Sequence, residues 1–226
     1  MEHPLAPRVG SSLASWELPL GDDDIVDGYE LGGDFSSLVA ARVDVNASRF
    51  RSVVLSRARL ERWRLTDVLV SGGDLSGAAL DGVSMRRVEF RDCRMSGVQL
   101  TTARLDDVAF SDCKLDGANF RSSTGERIRF DGCLLRDGDF AMVKFKHASF
   151  SGCDLKRAEF SKAHLSQSRF GACSLDGSRG FGSLRDITVD RSQALEIAQL
   201  LLAEHGITVV DTVDDDTEPV IGDRRS

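Results

Sequence analysis

No stretch of this 226-residue chain approaches the roughly 18 consecutive apolar residues that a membrane-spanning helix needs. Its opening residues, MEHPLAPRVG, lack the charged-then-apolar order of a secretory leader. Both absences point to a soluble, cytoplasmic protein with no membrane partner. The sequence is equally poor in motifs that carry chemistry. It has no Cys-x-x-Cys, no His-x-x-His, no phosphate-binding glycine loop and no nucleophile elbow, so the usual signatures of redox, zinc, nucleotide and acyl-transfer sites are missing. The four histidines, His3, His147, His164 and His205, fall at no ligand spacing. A catalytic site brings unlike groups together, whereas this sequence repeats like groups. No enzyme activity, no metal and no cofactor are expected.

What the chain has in abundance is repetition. Cys93, Cys113, Cys133, Cys153 and Cys173 stand twenty residues apart, and Phe90, Phe110, Phe130, Phe150 and Phe170 keep the same interval. Beneath this lies a period of five. From Phe35 to Leu175 every fifth residue is apolar except Gly125, through 29 consecutive pentads. The residue two before each centre is small, as in Ala78, Val83, Val88, Cys93, Val98 and Ala103. The other three positions are mostly Ser, Asp, Arg, Lys, Gly and Gln. Two inward positions and three outward ones per pentad fit neither a helix nor a flat strand. A fixed internal period identifies a repeat architecture. The cysteines fall on an inward position, so they read as small hydrophobic filler, and their odd number suits a reducing compartment.

Segments such as CKLDG (Cys113–Gly117) and AEFSK (Ala158–Lys162) resemble the pentapeptide-repeat family, over about 145 residues from Gly33 to Gly177. The resemblance implies an all-β solenoid: a right-handed quadrilateral β-helix in which each pentad is one side and four sides make one coil. The period of twenty supports the coil independently, because residues twenty apart then stack. At about 4.8 Å per coil, some seven coils make a rod roughly 35 Å long. Three places disturb the pattern. Gly125 leaves a centre empty, which suggests a local void or bend rather than a ligand pocket. Trp63 replaces a small inward residue, which suggests a widened coil rather than an exposed recognition ring. Ala40 and Val45 are weak centres, so the first coil is expected to be irregular.

Four segments follow: an acidic N-terminal segment over 1–32, partly disordered or covering an edge; the β-helix over 33–180; a C-terminal helix and short strand over 181–210; and an acidic disordered tail over 211–226. Charge divides the same way. Residues 31–180 hold 24 basic against 19 acidic residues, while each end carries a net charge of about -6. A stack of coils exposes unpaired backbone at both ends and needs covers. At the back, residues 190–206 read as a capping α-helix, with Asp190 and Gln193 as a capping box and Gly206 beyond its end. Ala194, Leu195, Ile197, Ala198, Leu201 and Leu202 form its apolar face. Ile207 to Val210 read as a strand. Val189-Asp190 and His205-Gly206 resemble the quinolone-resistance, gyrase-protecting branch of the family, which implies a homodimer through Leu195, Ala198, Leu201 and Leu202; capping alone also accounts for the helix. At the front, Asp22, Asp23, Asp24, Asp27 and Glu30 are expected to strap across a collar of Arg49, Arg51, Arg57, Arg59, Arg62 and Arg64.

The function expected is a non-enzymatic protein-interaction module that presents a rigid rod to a macromolecular partner whose identity the sequence does not name. The residues expected to meet that partner are the arginine collar and the side carrying Arg86, Arg87, Lys144 and Lys146. The alternative implied by the resemblance is a DNA-mimicking modulator or protector of DNA gyrase. Against it, no side of the rod is an acidic stripe, and imitation of duplex DNA is electrostatic. Nucleic acid itself is disfavoured as a partner, since no outward aromatics interleave with the arginines.

Overall fold

The computed structural model describes residues 3–208. They wind as a parallel β-solenoid of about eight turns with a single C-terminal helix. The backbone shows why. From Ser37 to Gly177 every fifth residue has a positive φ, always two positions after the apolar centre. Each such residue turns a corner, and four corners return the chain over itself. Stacking then pairs residues twenty apart, as Phe90 with Phe110 and Phe110 with Phe130. Most corners are not glycine, and a left-handed residue with a β-carbon costs about 1–2 kcal/mol. Inter-coil hydrogen bonds hold these corners, as Arg57 N–H to Ser76 O and Arg157 N–H to Asp176 O, both 2.9 Å.

The interior is closed by ladders of like side chains. Phe90, Phe110, Phe130, Phe150 and Phe170 stack with centroids 4.8–5.0 Å apart. Phe120, Phe140 and Phe160 stack beside them at 5.0 and 5.1 Å. The two columns meet edge to face, for example Phe120 with Phe130 at 5.5 Å, the arrangement that aromatic quadrupoles favour. All five cysteines are buried and free. Burial opposes the charged thiolate at every position of the cysteine column.

Toward the front the interior is aliphatic. Val70 interrupts the phenylalanine column between Phe50 and Phe90, and a cavity of about 20 Å³ lies there against Trp63. The Trp63 ring is buried, not exposed, and its Nε1–H donates to Ala40 O at 3.0 Å. Ala40 and Val45 are fully buried, and the strand Val39–Ala41 pairs with Arg59–Glu61 twenty residues on. The expected irregularity is therefore absent: the large Trp63 packs over the small Ala40. The void expected at Gly125 is also absent. A β-carbon there would collide with the Leu105 carbonyl and stand 3.1 Å from Ile128 Cδ1, so close backbone approach replaces the missing side chain.

Both ends depart from the period by one residue. Strand Ile25–Asp27 pairs with Asp44–Asn46, and Ser168–Gly171 with Ile187–Val189, each at an offset of nineteen. Residues 14–31 thereby add a front turn that the pentad count misses. Its inward residues are Leu20, Val26 and Leu31, and Trp16 packs edge to face on Tyr29 at 5.1 Å. Ahead of it, residues 4–8 lie along the rod: Leu5 N–H donates to Asp107 Oδ1 (3.1 Å) and Arg8 N–H to Asp67 Oδ1 (2.9 Å).

At the back, helix α1 spans Ala194–Glu204 after a 3₁₀ turn over Arg191–Gln193. The capping box does not form. Asp190 makes no side-chain cap bond, because the intervening 3₁₀ turn displaces it from the helix start. Gln193 instead donates its amide to Cys173 O at 2.7 Å. Residues 207–208 are not in a strand; the rest of that expected strand and the acidic tail lie outside the described residues.

Candidate functional site

Each coil offers three outward positions per side, and the rungs align them into rows. Two carboxylates at most succeed one another in any row from 33 to 180. The front arginines meet carboxylates supplied by the acidic segment, Asp23 and Glu30, and by Asp44 of the first coil. Glu30 reaches Arg49 at 3.3 Å and Arg51 at 3.7 Å, Asp23 pairs with Arg42 at 2.7 Å, and Asp44 with Arg64 at 2.9 Å. The Arg42 guanidinium holds the Asp23 carboxyl below its ordinary value. Arg57, Arg59 and Arg62 make no ion pair among the described residues, and Arg59 and Arg62 flank an open surface hollow beside Asp81. The collar is thus divided, with one part neutralised and one part presented to solvent.

The side carrying Arg86, Arg87, Lys144 and Lys146 is less basic in space than in sequence. Lys146 lies 3.7 Å from Glu126, and Arg86 sits in register with Asp106. Arg87 is mostly buried and donates through Nε and Nη2 to Asp67, both at 2.6 Å. One corner row therefore reads Asp67, Arg87, Asp107, Arg127, with Arg127 Nε 2.6 Å from Asp107 Oδ1. Hydrogen bonding from Arg87, with help from the Arg8 N–H, lowers the Asp67 pKa despite burial. For Asp107 burial raises it, but the Arg127 guanidinium and the Leu5 N–H outweigh that and the net shift is down. Lys144 is exposed, in register with Thr124 and His164.

The back end is closed by carboxylates from the helix. Glu204 accepts the N–H groups of Gly180 (2.6 Å), Phe181 (2.9 Å) and Gly182 (2.7 Å), and Glu196 accepts that of Leu175 (2.7 Å). These are donors that another coil would otherwise have satisfied. Gly180, at φ 83°, approaches Ser161 and Phe160 so closely that a β-carbon would clash with their backbone. Ile197 is buried and Leu200 and Leu201 pack on the core. Leu195 is 71% exposed and Ala198 is exposed as well. With the half-buried Leu202 and the 52% exposed Ile207, they leave an apolar stripe on the outer side of the helix. Leu201 thus parts company with Leu195, Ala198 and Leu202.

None of Asp67, Asp107, Gln193, Glu196 and Glu204 stands out in the sequence as a site residue. The Asp–Arg alternation at intervals of twenty was the available signal for the first two. For the helix carboxylates there was none, since their targets are backbone groups. Among the described residues no cluster of three or more His, Cys, Asp or Glu could hold a metal ion, and no helix is long and apolar enough to cross a membrane.

A family model for the pentapeptide repeat region matches residues 63–140 and 123–198. No curated protein matches the chain. Among solved structures, a trypsin-treated form of QnrB1, a plasmid-mediated fluoroquinolone resistance protein, is 22% identical, with a TM-score of 0.50 over 84% of this chain and 96% of that one. HetL, a pentapeptide repeat protein involved in heterocyst differentiation regulation in the cyanobacterium Nostoc sp. strain PCC 7120, is 16% identical, with a TM-score of 0.43 over 74% of this chain and 87% of that one.

Proposed function

Because the chain belongs to the pentapeptide repeat family, we propose that it acts by binding, as a non-enzymatic module whose rigid rod displays side chains to a protein partner. The observation that carries this reading is the invariant rung. Stacked interior rings at 4.8–5.1 Å hold the outward rows at one spacing along the rod, a preorganised surface that spends little conformational entropy on contact. Arg57, Arg59 and Arg62, unpaired among the described residues, and the exposed Lys144 are the cations offered to that partner. The outer stripe of Leu195, Ala198 and Leu202 is offered to a second copy of the chain. A photo-crosslinking scan with a benzophenone amino acid at outward positions on each side tests the reading. Crosslinks concentrated on one side or end are expected; uniform or absent crosslinking overturns it.

A second reading, modulation of DNA gyrase, is favoured by the exposed stripe on a helix bounded by Val189-Asp190 and His205-Gly206. The mixed charge of the rows opposes it, since a duplex mimic needs anions in phosphate-like succession. Supercoiling by purified gyrase, with and without a fluoroquinolone, decides the matter. Inhibition or drug protection at low micromolar protein establishes this reading, and no effect in either assay retires it.

A further inference from the structure

The first residues of the chain do something the repeat does not require. They leave the stack and run along its outside, against the coil direction, from the Asp107 rung to the Asp67 rung. Asp67 and Asp107 are forty residues apart, hence two rungs. At 4.8–5.1 Å per rung that is roughly 10 Å. Leu5 and Arg8, whose N–H groups reach these carboxylates, are three residues apart. A polyproline II segment rises about 3.1 Å per residue and repeats every three, about 9.3 Å. One turn of such a segment matches two rungs of the rod.

The burial pattern has the same period. Pro4 and Pro7 are half-buried against the rod, while Leu5 and Ala6 between them are exposed. The receiving carboxylates are preset: each Oδ1 that accepts an arm N–H also accepts a 2.6 Å hydrogen bond from the arginine one rung further on. The floor is narrow because Ala109 stands where the neighbouring rungs carry Glu89 and Arg129. The arm does not fill it. A gap of about 70 Å³ remains between arm and floor, and the buried Arg129 Nε that borders it has no hydrogen-bond partner among the described residues. A groove with matched anchors, an under-filled floor and an unsatisfied donor is held by a segment that a better one could replace.

We propose that this groove is a docking site for an extended Pro-x-x-Pro segment of a protein partner, and that residues 4–8 of the chain are its resident competitor. The inference rests on the reading of the chain as a binding module. Its test is blind to gyrase and to self-association, so the two can fail separately. Tethering gives the arm a high effective concentration, so a partner segment binds well only when it fills the floor better or when the arm is loosened.

The test uses the full chain carrying Pro4→Gly and Pro7→Gly, titrated into a fluorescein-labelled peptide of residues 2–10 and followed by anisotropy, with tryptic cleavage after Arg8 reporting arm release. The loosened chain is expected to bind the peptide at least tenfold more tightly than the unaltered chain. Ala109→Trp in the same background is expected to abolish binding while leaving both carboxylates and their arginines in place. A peptide with one alanine inserted between its prolines, which breaks the match to two rungs, is also expected not to bind. Any of three results overturns the proposal: an arm that stays protected despite both substitutions, a released arm with no peptide binding, or binding indifferent to both Ala109→Trp and the inserted alanine.

Discussion

The middle of the rod and its two ends meet the same requirement, that every coil cover its neighbour, by opposite means. In the middle each rung is covered by a near copy of itself, and one residue type repeated down a column fills the space: phenylalanine on phenylalanine at about 5 Å. At the ends no copy is available, and unlike residues substitute. The front turn slips by one residue, pairs through Glu30 and Asp23 with arginines of the next coil, and sends an arm down the outside. The back slips by one residue and closes with Glu196, Glu204 and Gln193 bonded to backbone groups. Repetition therefore makes stability that is spread evenly, while the ends depend on a few individual side chains. In a quasi-one-dimensional stack, damage to the middle is felt along the array and damage to an end frays it locally.

The largest contrast is expected from phenylalanine truncation. Phe130 touches rings of Phe110, Phe150, Phe120 and Phe140, so Phe130→Ala should cost about 3–5 kcal/mol in urea-unfolding free energy. Phe50, next to the Val70 gap, stacks on no ring among the described residues. Phe50→Ala should cost less by at least about 1 kcal/mol, since each ring pair is worth about 0.5–1.5 kcal/mol and Phe130 makes four. Equal losses would mean that the columns contribute only buried area.

Glu204→Ala should cost about 1–3 kcal/mol, from charged hydrogen bonds lost and N–H groups left unpaired. The loss should appear as faster amide exchange at Gly180, Phe181 and Gly182, with the Phe110–Phe150 coils unchanged. Exchange accelerating evenly along the rod would show that the end is not a separate unit. In the opposite direction, Val70→Ile adds one methylene beside a cavity of about 20 Å³ and should stabilise the front by at most ~0.8 kcal/mol, read from the same urea curves.

Acid should act on the arm through the carboxylates that hold it. Asp23, Asp67 and Asp107 have folded pKa values below their ordinary value, as does Asp137 in the phenylalanine coils, but only Asp67 and Asp107 accept N–H groups of the arm. Such groups favour the folded state above the unfolded carboxylate value of about 3.9, and that contribution disappears as pH falls through the lower folded value. Amide protection of Leu5 and Arg8 should therefore hold at neutral pH and disappear below about pH 4, while that of the phenylalanine coils persists; simultaneous loss would contradict the division. The smallest effect on stability is expected for Leu195→Glu, within about 0.5 kcal/mol, since the side chain is exposed. In sedimentation equilibrium it should nonetheless abolish self-association if the outer stripe carries it.

The candidate surfaces were only partly legible. The arginines of the collar are visible in the sequence, but which remain free is not, because Glu30 and Asp44 find them only once the coils stack. Arg87 looks like a surface cation and is a mostly buried partner of Asp67. Leu195 and Ile197 look alike in a helical pattern, yet one faces solvent and the other the rod.

The sequence by itself determined the contents of the core, because a period of five with a small residue two before each large one marks which side chains turn inward; its four-sided coil was legible through the resemblance to the pentapeptide-repeat family and the superimposed period of twenty. Only the tertiary structure decided the ends, the arm and the division of charges. A one-residue slip hides a coil from any periodic count, and an arm whose hydrogen bonds span 59 and 102 residues is placed by the spacing of rungs that exist only after folding.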